Sequence, residues 1–410
     1  MQCDSTRNRR LIEFLTALGA AMSSAGDATT FITRALERIG RAYGLRDLRV
    51  SAGPTLLILR YAEEGTAIVD LTTSSQVDLR LDQVADIYRL LADAEAQHVL
   101  PEDGIERLHE ALSRPARFGA PLSVAGLALV SGGISLVLAP SVPALLICCP
   151  LGALVGLIKL SAGRMTGLWP LVPVVSASIV AAIGFLLVDA GVKASAASVL
   201  LPPLVVFLPG AAITVAMIEL SAGDIVSGGS RLAFGAARLL LLVLGVLIAA
   251  QAVSVDVLNS AHEDVPVGAV ASALGVVAFT FGVCLHFDAP RGSFPWLLLV
   301  VGAAWGAQQG SGVVLGSYLS AALGGAVMVA VARMVASRSG APPLIVSYTP
   351  AFWLLVPSSL GLRSLAELSQ GTAPEALSDL LLMILTMIAI ALGMLLGLFI
   401  SGNRQMYELP

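Results

Sequence analysis

Ten apolar segments follow one another through the last 292 residues of this 410-residue chain, and they constrain its fold more than any other feature. A helix of about 20 apolar residues crosses the hydrocarbon core of a bilayer. We place the predicted spans at 121–139, 142–160, 168–188, 197–220, 232–254, 267–287, 294–310, 313–335, 342–365 and 377–401. Those 292 residues hold only 21 charged side chains, whereas residues 1–118 hold 31. The sequence therefore predicts a mostly α, polytopic membrane protein behind a small charged head.

The head, residues 1–118, mixes two periodicities and predicts a small α+β domain on the cytoplasmic side. Apolar residues at helical spacing indicate helices, and short β-type runs separated by turn residues indicate strands. The expected elements are a helix over 11–22, a helix from an Asp27 N-cap to near Gly44, strands within 48–71, and helices over 81–98 and 102–113. The polar turn at Ser23–Asp27 is a candidate binding turn, but we interpret it as a helix end followed by the next N-cap.

Charge and motifs exclude several classes of protein. A net charge of −4 without a basic stripe disfavours nucleic-acid binding. The four cysteines form no CxxC, which argues against a disulfide framework and a zinc site. The sequence has no HExxH, GxSxG or P-loop motif, so we expect neither an enzyme nor ATP-driven transport by this chain alone. We expect no metal and no cofactor.

The lysines and arginines orient the predicted spans. If the head is cytoplasmic, eight of the ten basic residues in the connections and tail lie inside, and only Lys193 and Arg363 lie outside. The loop at 255–266 has three acidic residues and no basic one, as expected outside. Because basic residues favour the cytoplasmic side, both termini are predicted to lie in the cytoplasm.

Two segments 148 residues apart share the pattern Pro-x6-Pro-x9-Glu-Leu-Ser-x-Gly. The matched residues are Pro202/Pro350, Pro209/Pro357, Glu219/Glu367, Leu220/Leu368, Ser221/Ser369 and Gly223/Gly371. The same offset relates the predicted spans, so each half has five. Because five is odd, the second half starts on the opposite side, which predicts the inverted repeats of secondary transporters. The predicted domains are the head at 1–118 and two five-helix modules at 119–254 and 255–410.

The fourth and ninth predicted spans each contain two prolines seven residues apart. A proline inside a helix removes a backbone donor and clashes with the preceding turn, so these spans should kink or break. Broken helices at matching places in two inverted halves point to a transport site. The alternative is that the prolines merely kink two membrane helices.

Polar side chains cluster just beyond the two breaks and are candidates for substrate binding or proton coupling. With the break residues, the candidate set is Pro209, Gly210, Thr214, Glu219, Ser221 and Asp224 in the first half, and Pro357, Ser358, Arg363, Glu367 and Ser369 in the second. A buried carboxylate can carry a coupling proton or pair with a substrate ammonium, and an arginine can meet a substrate carboxylate. The alternative for each charge is an interfacial side chain that reaches toward water.

Five short segments together carry a resemblance to a known family. They are AGDAT at 25–29, AYG at 42–44, RFGAP at 117–121, ELSAGDIVSG at 219–228 with SR at 230–231, and PPLIV at 342–346. With these segments in this order, the chain resembles the threonine/serine exporter family of bacterial membrane proteins. The second half departs from the pattern: Pro357 is followed by Ser358 and Ser359 rather than glycine, and the residue directly after Gly371 is not acidic.

The resemblance implies a cytoplasmic N-terminal region, about ten spans in two five-span modules, and a place in the cytoplasmic (inner) membrane. It implies export of threonine, serine or a similar small polar substrate, driven by the proton motive force. Two alternatives stay open. The first is export of small dicarboxylates such as succinate, because the resemblance also extends to similar modules that occur as two separate proteins linked to that activity. The second is a membrane sensor with a cytoplasmic signalling head. The expected partners are the substrate, protons and the lipid bilayer. Gly-x3-Gly faces in the seventh span suit packing within one chain or in a homo-oligomer.

Overall fold

A computed structural model describes residues 2–63, 66–73, 79–138, 141–163, 166–192, 196–253, 268–355 and 373–401. The described residues are mostly helical, at 79%, and include a small three-stranded sheet near the N-terminus. The chain separates into two compact units. The first contains the described part of 1–116 together with Val215–Ala233, and the second contains the described parts of Arg117–Thr214 and Phe234–Gly402.

The described residues of the N-terminal part of the first unit form four helices and three strands. The helices are α1 (Gln2–Ser24), α2 (Thr29–Ala42), α3 (Leu81–Glu95) and α4 (Pro101–Ser113). The strands are β1 (Arg49–Ala52), β2 (Leu56–Glu63) and β3 (Thr66–Thr73). Helix α4 begins where its sequence favours a start: Pro101 occupies the first turn, and Glu102 and Asp103 place negative charge at the positive end of the helix dipole.

The three strands form an antiparallel sheet in the order β1-β2-β3. Alternate residues of a strand point to opposite faces, and β2 follows this rule. Leu57, Leu59 and Tyr61 are buried in a core shared with α1 and α2, whereas Leu56 and Ile58 are exposed. The predicted helices and short strands of the head are therefore confirmed.

One local prediction in the head is wrong. The N-cap of α2 is Ala28 and not Asp27, and no side chain of the cap residue bonds the first turn. The Asp27 side chain instead accepts a hydrogen bond from the Tyr88 hydroxyl of α3. A tertiary partner has thus taken the side chain that local sequence assigns to a cap.

In the described part of the chain that follows the head there are ten further helices, which we number α5 to α14. They are α5 (Ala120–Leu138), α6 (Val142–Ala162), α7 (Val172–Asp189), α8 (Ala196–Leu204), α9 (Gly210–Ser221), α10 (Ile225–Val253), α11 (Ala269–His286), α12 (Phe294–Ala336), α13 (Leu344–Leu355) and α14 (Ala373–Ile400). Short 3-10 turns at Thr166–Leu171 and Val205–Phe207 precede α7 and follow α8. Helices α9 and α10 each continue from one compact unit into the other.

Six of the described helices are long and apolar enough to cross a membrane, or seven if the bent pair α8 and α9 counts as one span. Helices α11 and α13 are apolar but shorter. Helix α12 has 43 residues and covers both the seventh and the eighth predicted spans. At about 1.5 Å per residue it is roughly 65 Å long, twice the thickness of a hydrocarbon core. Gly316 interrupts it with φ 72° and ψ −179°, a conformation open essentially to glycine alone.

Candidate functional site

The break predicted in the fourth span is present between α8 and α9. The two helices, Ser198–Phe207 and Gly210–Ser221, are bent by 61°. Leu208 is extended, at φ −68° and ψ 127°, because the ring of Pro209 disfavours the helical region for the residue before it. The helix resumes when Ile213 N donates to the Pro209 carbonyl. Pro209 and Gly210 are both buried at this break.

The segment after α9 reverses the chain in a tight turn. Gly223, at φ 84°, is the left-handed residue that ends the helix, with Gly223 N donating to Leu220 O and Asp224 N donating to Glu219 O. This is the pairing of a Schellman motif, which requires glycine at that place. Asp224 then caps α10, because its Oδ1 accepts from Ser227 N at 3.2 Å.

A second glycine holds α10 close to α9. A Cβ on Gly228 would lie 2.7 Å from the Leu220 Cγ, 2.8 Å from the Ala216 carbonyl oxygen and 2.9 Å from Leu220 N. No real Cβ tolerates such contacts with backbone atoms. The turn and this close approach together place Glu219, Asp224 and Arg231 on one side of the helix pair, within the first compact unit.

Glu219 is fully buried, and its hydrogen-bond partner is Thr29 of the head. Its Oε1 accepts from Thr29 N at 2.9 Å and lies 3.0 Å from the Thr29 hydroxyl. Thr29 is the first residue of α2, so the Glu219 carboxylate occupies the helix N-terminus that Ala28 leaves without a side-chain cap. Its Oε2 lies 3.2 Å from Arg231 Nε, an ion-pair distance without the angle of a hydrogen bond.

Thr29 also connects Glu219 to the turn. Its hydroxyl lies 2.6 Å from Asp224 Oδ2 as well as 3.0 Å from Glu219 Oε1. A hydroxyl carries one proton, so it donates to one of these two oxygens at a time. Because the contact with Asp224 is the shorter one, we assign the donated proton to that carboxylate.

Arg231 and Tyr88 extend the group to Asp27. Arg231 Nη2 donates to the Asp27 carbonyl oxygen at 2.7 Å, and the Tyr88 hydroxyl donates to Asp27 Oδ1. The Asp27 side chain is buried, and within the described structure its Oδ2 has no hydrogen-bond partner. Burial raises the pKa of Asp27 from 3.8 to about 7, against the opposing effects of the Tyr88 hydrogen bond and the Arg231 charge.

We call these six residues, Asp27, Thr29, Tyr88, Glu219, Asp224 and Arg231, the junction cluster. It contains three carboxyl groups and one guanidinium, so full ionisation would leave two uncompensated negative charges. Such a group favours a proton or an ammonium over an anion. Among the described residues, no three His, Cys, Asp or Glu side chains are arranged so that they could hold a metal ion.

The structure brings together only some of the polar residues that the sequence predicts for the site. Glu219 and Asp224 belong to the junction cluster, whereas the exposed Ser221 bonds only the local Ile218 carbonyl, at 2.8 Å. Thr214 is buried in α9, and its hydroxyl has no hydrogen-bond partner among the described residues. The second-half candidates, which are Pro357, Ser358, Arg363, Glu367 and Ser369, lie outside the described residues.

The candidate site residues predicted from the sequence do not include four members of the cluster: Asp27, Thr29, Tyr88 and Arg231. Asp27 and Thr29 lie in AGDAT and Arg231 lies in SR, two segments that carry the family resemblance. Their place in these segments is the one sequence signal that could have marked them as site residues. Tyr88 had none, because nothing local in α3 marks its hydroxyl as a partner of a residue 61 positions away.

A folded head followed by six or seven membrane-length apolar helices defines a multi-pass membrane protein. A family model described as "Putative threonine/serine exporter" matches residues 13–253. The match covers more than half of the chain and includes all six residues of the junction cluster, so the chain belongs to the threonine/serine exporter family. That family is one of transporters and is not an enzyme class. No curated protein and no solved structure matches the chain.

Proposed function

We propose that the chain is a secondary transporter that exports threonine, serine or similar small polar amino acids across the cytoplasmic membrane, driven by the proton motive force. Membership of the family supports the substrate class. The observation that carries the coupling is the junction cluster: a buried group with more carboxylates than cations attracts protons and substrate ammonium groups. The same excess of negative charge disfavours dicarboxylates, because they would face like charge.

We further propose that the membrane part is a pair of inverted five-helix repeats, in modules at 119–254 and 255–410, with both termini cytoplasmic. The Gly316 interruption supports counting α12 as two spans, since 43 residues are too many for one. The bend between α8 and α9 supports a break in the fourth span, the place where such repeats bind substrate. The Lys/Arg distribution supports the orientation.

In this proposal the halves rock around a site between the fourth and ninth spans. Glu219 would take part in proton coupling, and the polar residues predicted for the ninth span would line the other side of the site. Arg363 would hold the substrate carboxylate as a charge-assisted pair. Glu367 would take the place that matches Glu219 in the second half.

The test is flux from vesicles that contain the purified full chain. Vesicles are loaded with labelled threonine, serine or succinate, and efflux is followed with and without an imposed proton gradient. The proposal expects gradient-stimulated efflux of threonine and serine and none of succinate beyond protein-free vesicles. Efflux of succinate alone would favour the dicarboxylate exporter, and no flux of any of the three would contradict secondary transport of these substrates.

A further inference from the structure

The three carboxyl groups of the junction cluster are not equivalent, because two of them lie at helix N-termini. Glu219 accepts from the first backbone N–H of α2, and Asp224 accepts from Ser227 N at the start of α10. A helix N-terminus favours a negative charge through its unpaired N–H groups and its dipole. Both of these carboxylates therefore have a backbone N–H donor at a helix N-terminus.

Asp27 has no such support. Its backbone N–H donates to Met22 O of α1, at 3.3 Å, and its carboxyl receives one hydrogen bond, from Tyr88 of α3. Its residue surface is 7% exposed, and its second oxygen has no hydrogen-bond partner among the described residues. Removing a carboxylate from water without full compensation favours the protonated acid.

Charged groups of other elements surround this carboxyl. Arg231 of α10 bonds the Asp27 carbonyl and attracts the ionised side chain. Glu219 of α9 and Asp224 of the following turn both meet Thr29, two residues along the chain, and add negative charge. Tyr88 of α3 stabilises the ionised form through its hydrogen bond. Arg231 is the cation of the cluster, and it also pairs with Glu219. Of the three carboxyl groups, Asp27 therefore has the fewest groups that would stabilise a negative charge.

We propose that Asp27, in the head, is the proton-binding group of this transporter, and that Glu219 and Asp224 anchor the head around it. This inference rests on the proposed proton-driven export and names the residue that exchanges the proton. Binding one proton at Asp27 removes one of the two uncompensated charges beside Arg231. The pKa of about 7 means that this change occurs near the pH of a cytoplasm, where a proton can be both bound and released.

Coupled transport gives the first test, with the full chain in vesicles. Asp27→Asn mimics the protonated acid and cannot release its proton. We expect at least a ten-fold loss of gradient-driven threonine efflux in D27N, with threonine–threonine exchange kept within about two-fold of wild type. The matched control is Asp47→Asn, which changes an exposed carboxyl of the same head and should leave both activities unchanged. Equal loss of both activities, or full gradient drive in D27N, overturns the proposal.

A second variant tests the proton without removing the carboxyl. Tyr88→Phe deletes the hydrogen bond that lowers the pKa of Asp27, so the midpoint of the pH profile of efflux should move to higher pH. A structural defect would lower the rate at every pH without moving that midpoint. An unchanged midpoint in an active Y88F protein contradicts the assignment.

Infrared difference spectra of the full chain separate this inference from the proposed function. A protonated-carboxyl band should disappear with a midpoint near pH 7 in wild type and should be missing from D27N. If the band behaves so but wild type shows no gradient-driven flux, the proton site stands and the proposed function fails. If wild type transports but D27N keeps the band, Asp27 is not the proton-binding group.

Discussion

The role of Glu219 as an anchor of the head can be tested by Glu219→Gln. The variant keeps the size of the side chain and an oxygen that still accepts from Thr29 N. It removes the negative charge beside Arg231, whose side chain is 12% exposed. Arg231 then keeps its hydrogen bond to the Asp27 carbonyl. The substitution therefore removes the charge partner of a nearly buried guanidinium and the negative charge at the N-terminus of α2, and both losses destabilise the folded unit.

The expected magnitude follows from these two contacts. Breaking a buried ion pair by removing one partner costs about 3–5 kcal/mol, and the remaining bond from Arg231 to Asp27 favours the lower end. Loss of a negative charge at a helix N-terminus adds about 0.3–1 kcal/mol. Together these predict that local opening around the start of α2 becomes easier by about 3–4 kcal/mol, which corresponds to exchange faster by a factor of roughly 100 or more.

Hydrogen–deuterium exchange of the full chain in a bilayer is the assay, read on peptides that begin at Thr29. Glu106→Gln is the matched control, since Glu106 is an exposed carboxylate of α4 in the same unit. The effect should also depend on Arg231: in Glu219→Gln with Arg231→Gln the two losses should not add. If E219Q accelerates exchange in this peptide by less than about three-fold, as E106Q is expected to do, the anchor role is refuted.

Three further variants test the packing and the charge of the same unit. Gly228→Ala should lower the melting temperature of the full chain, because overpacking costs about 1–3 kcal/mol. Gly229→Ala is the control and should be neutral or slightly stabilising, since a Cβ there meets nothing within 4 Å. Equal effects of the two variants would contradict the packing of α9 on α10. Thr29→Val should speed hydrogen exchange in α2 by about ten-fold. Asp224 and Glu219 lose a hydroxyl partner, and this loss costs about 1–2 kcal/mol. Thr30→Val is the control and should leave the exchange unchanged. The pKa of Asp27 is raised in the folded state, so protonated Asp27 stabilises the fold. This contribution to the free energy of unfolding is complete below about pH 4 and is lost as the pH rises through about 7. The total change is about 4 kcal/mol. Chemical denaturation of the first unit between these pH values should show this decline in wild type and not in D27N, and parallel curves would contradict it.

Local patterns predicted the head and the break well. Helical spacing, Pro101 and the β-type runs are each properties of a few neighbouring residues, and the observed elements start and end close to the expected places. The bend after Phe207 also follows from a local rule, the restriction that Pro209 places on Leu208. The polar residues beyond it, Glu219 and Asp224, could therefore be proposed as site residues from sequence.

What surrounds those residues could not be predicted, because the contacts join distant parts of the chain. Thr29 meets Glu219 across 190 positions, and Arg231 meets Asp27 across 204. No period or spacing encodes such pairs. For this reason local rules predict that Asp27 caps a helix. In the folded unit the Asp27 carboxyl instead accepts from Tyr88, and Glu219 accepts from the first backbone N–H of α2. The ten-span count and the inverted repeat stay predictions.

The measurement that tests the central claim most directly records threonine and proton movement together, in vesicles that contain the full chain. An exporter driven by the proton motive force moves protons against the direction of threonine. We therefore expect a threonine gradient alone to drive opposite proton movement in wild type, and this movement to vanish in D27N while threonine exchange continues. Threonine flux in wild type without any accompanying proton movement would contradict proton-coupled export.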